Sequence, residues 1–353
     1  MKIFADDSHR QHHALELDGA VIIPSWECPE RVYSVMNALQ KRTHEFATPD
    51  ALNEPALTRV HTPAYLSFLA TAWDRWVEAG EQGAAAIGVC WPGRRLDQDA
   101  LPTSLRGQIG YFSFAADCSI TEFTWDAAKA SAAIAQSATT AVLAGERVAL
   151  GLCRPPGHHA SADQFGGYCY LNNAAIAAQQ LIDAGQQRVA VFDVDYHHGN
   201  GTQDIFYDRD DVLYLSIHGD PDFEFPYFLG RASESGTGVG EGYNHNEPLP
   251  AGTTFAEWMV AFDRCVARIV DFAASSLVLS LGVDTFRDDP ISHFTLDTDD
   301  YEVIGRRLAL LNLPTVIIFE GGYAVDEIGE NVARLVDGFE AAMNDRRSTG
   351  AEG

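Results

Sequence analysis

The sequence predicts an α/β protein with three layers, a parallel β-sheet flanked by helices, and a functional site at the C-terminal ends of the strands. Three observations predict it. From Thr124 onward, short apolar runs alternate with helical patterns, the rhythm of a parallel sheet covered on both faces. Five of those runs break directly into acids, histidines or glycines, and in a parallel sheet such ends share one edge. No internal repeat or linker divides the 353 residues, so they read as a single domain over 1–343 with a flexible polar tail at 344–353.

In chain order, Lys2-Ile-Phe4 is a candidate first strand, and Pro29 to Arg42 has helical periodicity with a proline near its start. Pro63 to Ala79 is a second helix, with Tyr65, Leu66, Leu69, Trp73 and Trp76 at helical spacing as a core or interface stripe. Gly80 to Thr124 shows no dominant element, and so long a stretch in a compact protein points to a functional or interfacial role. Thr124 is the expected N-cap of an Ala-rich helix reaching Gly145. Strands follow at Val148 to Cys153, Val189 to Val194, Val212 to Ile217, Leu277 to Leu281 and Thr315 to Phe319. Helices are expected at Asn172 to Ala184, Phe255 to Phe272, Asp299 to Leu311 and Asp326 to Met343.

Composition narrows the function. With 24 Lys+Arg against 50 Asp+Glu, the formal net charge is −26, which repels nucleic acid and anionic membranes and attracts cations. Six cysteines lack a CxxC pair, so neither a disulfide framework nor a thiolate zinc site is signalled, and a cytoplasmic location is expected. The N-terminus turns acidic at Asp6-Asp7 without an apolar core, unlike a signal peptide. Gln164 to Ile182 lacks charge, but Gly166-Gly167, Asn172 and Asn173 make it a buried loop and helix rather than a membrane span. Gly236 to Gly242 is glycine-rich without GxGxxG spacing or a preceding strand, so it signals no nucleotide.

The strand ends carry the chemistry. Val189-Ala-Val-Phe-Asp-Val-Asp-Tyr-His-His-Gly-Asn200 sets Asp193, Asp195 and His197 at alternate positions, on one side of an extended backbone. Asp195, His197 and Asp284 form a three-ligand set for a divalent ion, leaving a position open as catalytic sites do. Zinc is the first choice, and two oxygens with one nitrogen suit ferrous iron or manganese as well. His158 and His159 follow Pro155-Pro156-Gly157, one to take a proton from water and one to stay protonated, or both as ligands or surface residues. Asp193 and Asn200 are placed to orient these imidazoles, and Tyr323, after Gly321-Gly322, to donate to an oxyanion.

Taken together, Arg154-Pro-Pro-Gly-His-His-Ala160, Gly166-Gly-Tyr-Cys-Tyr-Leu-Asn-Asn173, Asp193-Val-Asp-Tyr-His-His-Gly-Asn-Gly-Thr202, Ser280-Leu-Gly-Val-Asp284 and Glu320-Gly-Gly-Tyr323 resemble the histone-deacetylase-like amidohydrolases, which share the arginase-deacetylase fold. The resemblance implies Asp195, His197 and Asp284 as metal ligands, His159 as general base and then acid, His158 as its electrostatic partner, and Tyr323 as the carbonyl-polarising donor. It further implies potassium at Asp193 and Ser216 with main-chain oxygens of Asp195, His197 and Ile217, and a second potassium at Phe206, Arg209, Val212 and Tyr243. Tyr168, Phe225 and Gly167 match the substrate tunnel.

Within the family, Gly107-Gln-Ile-Gly-Tyr111, Gly219-Asp-Pro221 and the insertion at about 80–124 resemble bacterial acetylpolyamine amidohydrolases. That resemblance implies a homodimer, a narrowed tunnel and a cationic acetylated amine as substrate, such as acetylputrescine, acetylcadaverine or acetylspermidine, with Asp117 as an acid facing it. Arg106 departs from the pattern, standing where an acid is expected. The alternative function is a lysine deacylase on proteins, or an amidase for another small acylated amine.

Overall fold

Eight strands form one wholly parallel sheet in the computed structural model, which describes the backbone of residues 1–349 and the side chains of residues 1–346. In chain order they are β1 (Lys2–Phe4), β4 (Glu45–Ala47), β5 (Val148–Gly151), β6 (Val189–Asp193), β7 (Val212–Gly219), β8 (Asn244–Leu249), β9 (Ser276–Leu281) and β10 (Thr315–Phe319). The spatial order is β4-β1-β5-β10-β9-β6-β7-β8. The five strands singled out by their polar ends, β5, β10, β9, β6 and β7, are therefore adjacent. A separate antiparallel hairpin pairs β2 (Leu15–Asp18) with β3 (Val21–Pro24).

The strands read as continuous apolar runs because both faces are buried. Successive side chains alternate between two cores: Ala190, Phe192, Leu277, Leu279, Ile317 and Phe319 on one face, Val189, Val191, Val278, Val316 and Ile318 on the other. The first core is closed by α1 (Glu30–Leu39), α8 (Phe255–Asp271), α9 (Thr298–Ala309) and α10 (Val325–Thr349). The second is closed by α3 (Pro63–Glu78), α5 (Thr124–Leu143) and α6 (Asn173–Asp183), with the short α2 (Glu54–Leu57), α4 (Leu105–Tyr111) and α7 (Asn200–Phe206) at its rim. Emptying one such position, as in Phe192→Ala, costs about 3–5 kcal/mol.

Helix starts follow local chemistry. Asn172 Oδ1 accepts the Ala175 N–H at 2.9 Å to cap α6, and Glu257 reaches back to the Thr254 N–H at 2.9 Å ahead of α8. The expected cap at Thr124 differs: Phe123 precedes the helix, and Thr124 Oγ1 instead accepts the Thr121 N–H at 2.8 Å. The expected end of the last helix at Met343 is also passed, since α10 continues to Thr349. Of the expected tail, residues 344–349 are therefore helical, and residues 350–353 lie outside the described residues. Four strands escaped the sequence reading. β4 has three residues, the β2–β3 hairpin leaves Val21 and Ile22 exposed, and β8, with sequence Asn-His-Asn-Glu-Pro-Leu, is a polar edge. No described helix is long and apolar enough to cross a membrane.

Candidate active site

Asp195, His197 and Asp284 meet beyond the ends of β6 and β9, with one ligand atom from each lying within 4.8 Å of the others. All three are buried. Main-chain donors aim the carboxylates: Tyr196 N–H to Asp284 Oδ1 at 2.8 Å, His197 N–H to Asp195 Oδ1 at 2.9 Å and Gly321 N–H to Asp195 Oδ2 at 2.8 Å. His197 Nδ1 lies 3.1 Å from Asp284 Oδ2 and 3.5 Å from Asp195 Oδ1.

This nest fits a divalent cation. Burial, with Asp195 alongside, pushes the Asp284 carboxyl up to about 8, the signature of carboxylates that share a dry site until a positive charge joins them. The space is kept open by glycine. A Cβ at Gly321 would come within 2.4 Å of Asp195 Oδ2 and 2.6 Å of Asp284 Oδ2. The donor set also matches a hard or borderline ion with an open position.

The two adjacent histidines enter from the turn after β5 and are held in opposite charge states. Burial opposes charge on His158, but Asp195 and Asp193 outweigh it and raise its pKa to about 10. Its Nδ1 is 3.0 Å from Asp193 Oδ2. Burial, then repulsion by the positive charge of His158 and His197, drives His159 well below the ordinary imidazole range. Its Nδ1 is 2.7 Å from Asn200 Oδ1, and Asn200 Nδ2 donates to the His159 carbonyl at 3.3 Å. That second bond fixes the amide orientation, so Nδ1 carries the proton and Nε2 keeps a lone pair. The rings stand 4.0 Å apart. His198 is not in the nest; its Nε2 faces Gln203 Oε1 at 3.1 Å and its ring packs on His218.

Tyr323 is buried after the Gly321-Gly322 turn, its ring 5.7 Å from that of Tyr168. Burial raises its pKa well above the ordinary phenol value, so it is a donor. Tyr323, His159, His197, Gly167, Tyr168, Phe225 and Asp117 all line one cavity of about 340 Å³. Gly167, at φ +54°, lies so close to His159 that a Cβ would meet the ring at 2.2 Å. Its N–H donates to Asp117 Oδ1 at 3.0 Å. Phe225 stands edge-on to His159 with centroids 5.1 Å apart.

Several contributors escaped the sequence reading. Glu16, Asp18, Glu224, Trp26 and Ile291 line the same cavity, and buried Glu16 Oε2 has no hydrogen-bond partner among the described residues. Glu320 Oε2 accepts the N–H groups of Gly157 at 2.6 Å and His158 at 3.2 Å, tying the histidine turn to β10. Arg31 donates to Gly322 O at 2.6 Å and also to Glu320 O, with its guanidinium 4.8 Å from the Tyr323 ring. Glu320 alone had a local signal, a buried acid ending an apolar run. Arg106 is exposed, pairs with Glu81 and lies over Trp76, outside the cavity lining.

The residues expected to hold monovalent cations fall in two places. Asp193 and Ser216 face each other in register on β6 and β7, followed by Ile217. Phe206, Arg209, Val212 and Tyr243 gather at the opposite end of β7, where the Phe206 carbonyl accepts Arg209 N–H at 3.1 Å and the Tyr243 carbonyl accepts Tyr214 N–H at 2.9 Å. The Arg209 guanidinium is engaged by Asp211 and Gln179.

Comparison with known proteins matches residues 25–339 to the histone deacetylase domain. Acetylpolyamine amidohydrolase 1 of Pseudomonas aeruginosa is 49% identical over 345 residues, covering 97% of this chain and 99% of that protein. The acetylpolyamine amidohydrolase of Mycoplana ramosa is 45% identical over 337 residues, covering 95% and 98%. The crystal structure of acetylpolyamine aminohydrolase from Burkholderia pseudomallei superposes with a TM-score of 0.90 at 38% identity, covering 97% of this chain and 99% of that one.

Proposed function

The chain belongs to the histone deacetylase domain family, and from that premise we propose that it removes acetyl groups from N-acetylpolyamines, releasing acetate and the free amine. The observation that carries this reading is that the Asp195, His197 and Asp284 cluster reaches, through His197, a cavity also lined by His159 and Tyr323 and by four acids. Glu16, Asp18, Asp117 and Glu224 suit a substrate whose far end is an ammonium.

Asp195, His197 and Asp284 would hold the divalent ion, zinc by preference and ferrous iron as the alternative, and when bound it supplies Lewis acidity toward a water and an amide carbonyl. His159 takes the proton of the attacking water on Nε2, while Asn200 keeps its Nδ1 proton in place. His158, held cationic by Asp193 and Asp195, offsets negative charge as the tetrahedral oxyanion forms. The Tyr323 phenol donates to that oxyanion. His159 then returns its proton to the departing nitrogen, since an amine leaves far more readily than its anion. Tyr168 and Phe225 flank the acyl chain and keep bulk water out.

Asp193, Ser216 and the carbonyls of Asp195, His197 and Ile217 would bind one potassium, bracing the end of β6 that leads into the divalent-metal residues, and Phe206, Arg209, Val212 and Tyr243 another, at the opposite end of β7. We place the enzyme in the cytoplasm, in keeping with its six free cysteines. A homodimer formed through residues 80–124 accounts for the exposed Val89, Leu96 and Leu101 there. Side-by-side turnover of acetylputrescine, acetylspermidine and an acetyl-lysine peptide tests the substrate. Preference for the acetylpolyamines is expected, and preference for the peptide would replace this reading with a protein deacylase.

A further inference from the structure

Resting on the amidohydrolase reading, we propose that Asp289 is a positioning residue that sets the Tyr323 phenol and the Ile291 wall of the cavity through three main-chain N–H groups. Its Oδ2 accepts from Tyr323 N–H at 2.7 Å and Ala324 N–H at 3.3 Å, and its Oδ1 from Ile291 N–H at 3.1 Å. The carboxylate is buried, and Asp289 lies on the loop between β9 and α9, five residues past the ligand Asp284. One side chain thus joins two loops that both line the cavity.

The main-chain ties at Gly321 and Gly322 act before the tyrosine. Gly321 N–H goes to Asp195, Gly321 O accepts Val283 N–H at 3.0 Å, and Gly322 O accepts from Arg31. The amides of Tyr323 and Ala324 end on Asp289. They precede α10, where main-chain donors have no helical partner and a negative charge is favoured. Three converging donors call for an acceptor at both oxygens. Aspartate meets this with its lone pairs, whereas asparagine turns an NH2 toward one of the donors.

The tyrosine hydroxyl sits at the end of the longest arm leaving this backbone. A small rotation at Cα becomes a displacement of ångström scale at the oxygen, and misplacement by about 1 Å costs about 100-fold in rate. Asp289 forms no hydrogen bond with Asp195, His197 or Asp284 among the described residues, so the phenol can be misplaced with the metal nest intact.

A double-mutant cycle on the metal-loaded full chain separates positioning from general damage. Asp289→Ala should lower kcat for acetylputrescine about 100-fold at unchanged metal content, yet cost less than about threefold in a Tyr323→Phe background, where no phenol remains to be misplaced. Equal costs in both backgrounds would overturn the proposal. Asp289→Asn keeps an acceptor for Tyr323 but opposes the Ile291 N–H. It should hold kcat within about tenfold of wild type and raise KM, the split a purely structural role would not produce. Amide exchange reads the latch without turnover: the peptide holding Ile291 should exchange faster in both Asp289→Asn and Asp289→Ala, those holding Tyr323 and Ala324 faster in Asp289→Ala, and unchanged protection in Asp289→Ala would also refute it. If the wild-type enzyme fails to turn over any acetylated amine, the amidohydrolase reading falls, and the exchange result still decides on Asp289.

Discussion

Replacing Tyr323 by Phe removes one oxygen and isolates what that oxygen does. The hydroxyl has no hydrogen-bond partner among the described residues, and the ring keeps its contacts with Tyr168 at 5.7 Å and the Arg31 guanidinium at 4.8 Å. Folding should therefore lose little, with Tm moving by less than about 2 °C. Catalysis should lose much more. Removing a single preorganised donor to an oxyanion in a water-excluded site costs about 2.7–4 kcal/mol, or about 100–1000-fold in kcat. KM should stay within about threefold, because the bond strengthens only as charge develops. Burial holds the phenol protonated well above the ordinary range, so the loss should be the same across neutral and mildly alkaline pH. The assay is initial-rate release of amine from acetylputrescine, with metal content measured on the same samples. A variant that retains kcat within about threefold, or that loses metal along with activity, would refute the role given to the phenol.

Asp284→Ala should abolish stoichiometric binding of the divalent ion, measured by metal analysis, and a chelator should lower the Tm of wild type while leaving the variant unmoved. Asn200→Asp places a carboxylate 2.7 Å from His159 Nδ1, which raises the pKa of the imidazole. A base is lost on protonation, so the acid limb of the kcat/KM profile should move to higher pH, and an unmoved limb would argue against His159 as the base. Glu247 offers a test away from the site. Burial opposes its ionisation, but Arg264 at 2.6 Å and His245 at 2.7 Å outweigh it and hold the carboxyl at about 2. A depressed carboxyl stabilises the fold above its unfolded pKa near 4.5, and that stability disappears as pH falls toward 2. Linkage caps the contribution at about 3 kcal/mol, and with Arg264 52% exposed, screening reduces it to about 1 kcal/mol. Glu247→Gln should thus melt lower than wild type at pH 7, with the gap closing between about pH 4.5 and pH 2.

Much of the fold and the candidate ligand set could be read locally. β10 begins and ends at the expected residues, and β6, β7 and β9 fall within two residues of expectation, because strands buried on both faces carry an unbroken apolar signal. Asp195 and His197 were visible because strand geometry puts alternate residues on one side, and Asp284 because it follows an apolar run in the same way. Edge strands β4 and β8 carried no such signal, since half of each faces solvent or polar neighbours.

What tertiary structure alone decided is the company each group keeps. Arg31 lies on a helix 291 residues from the Gly322 carbonyl it holds, and Asp289 is 34 residues from the tyrosine amide it accepts; neither pairing has a periodicity to betray it. The opposite charge states of His158 and His159, neighbours in the chain, come from Asp195 and Asp193 outweighing burial on one ring and from burial beside His158 and His197 on the other. Residue type and spacing determined which chemistry was present, because ligand geometry repeats with the backbone. Burial and long-range partners determined which proton sits where, because those energies depend on distances that exist only once the strands of the sheet are side by side.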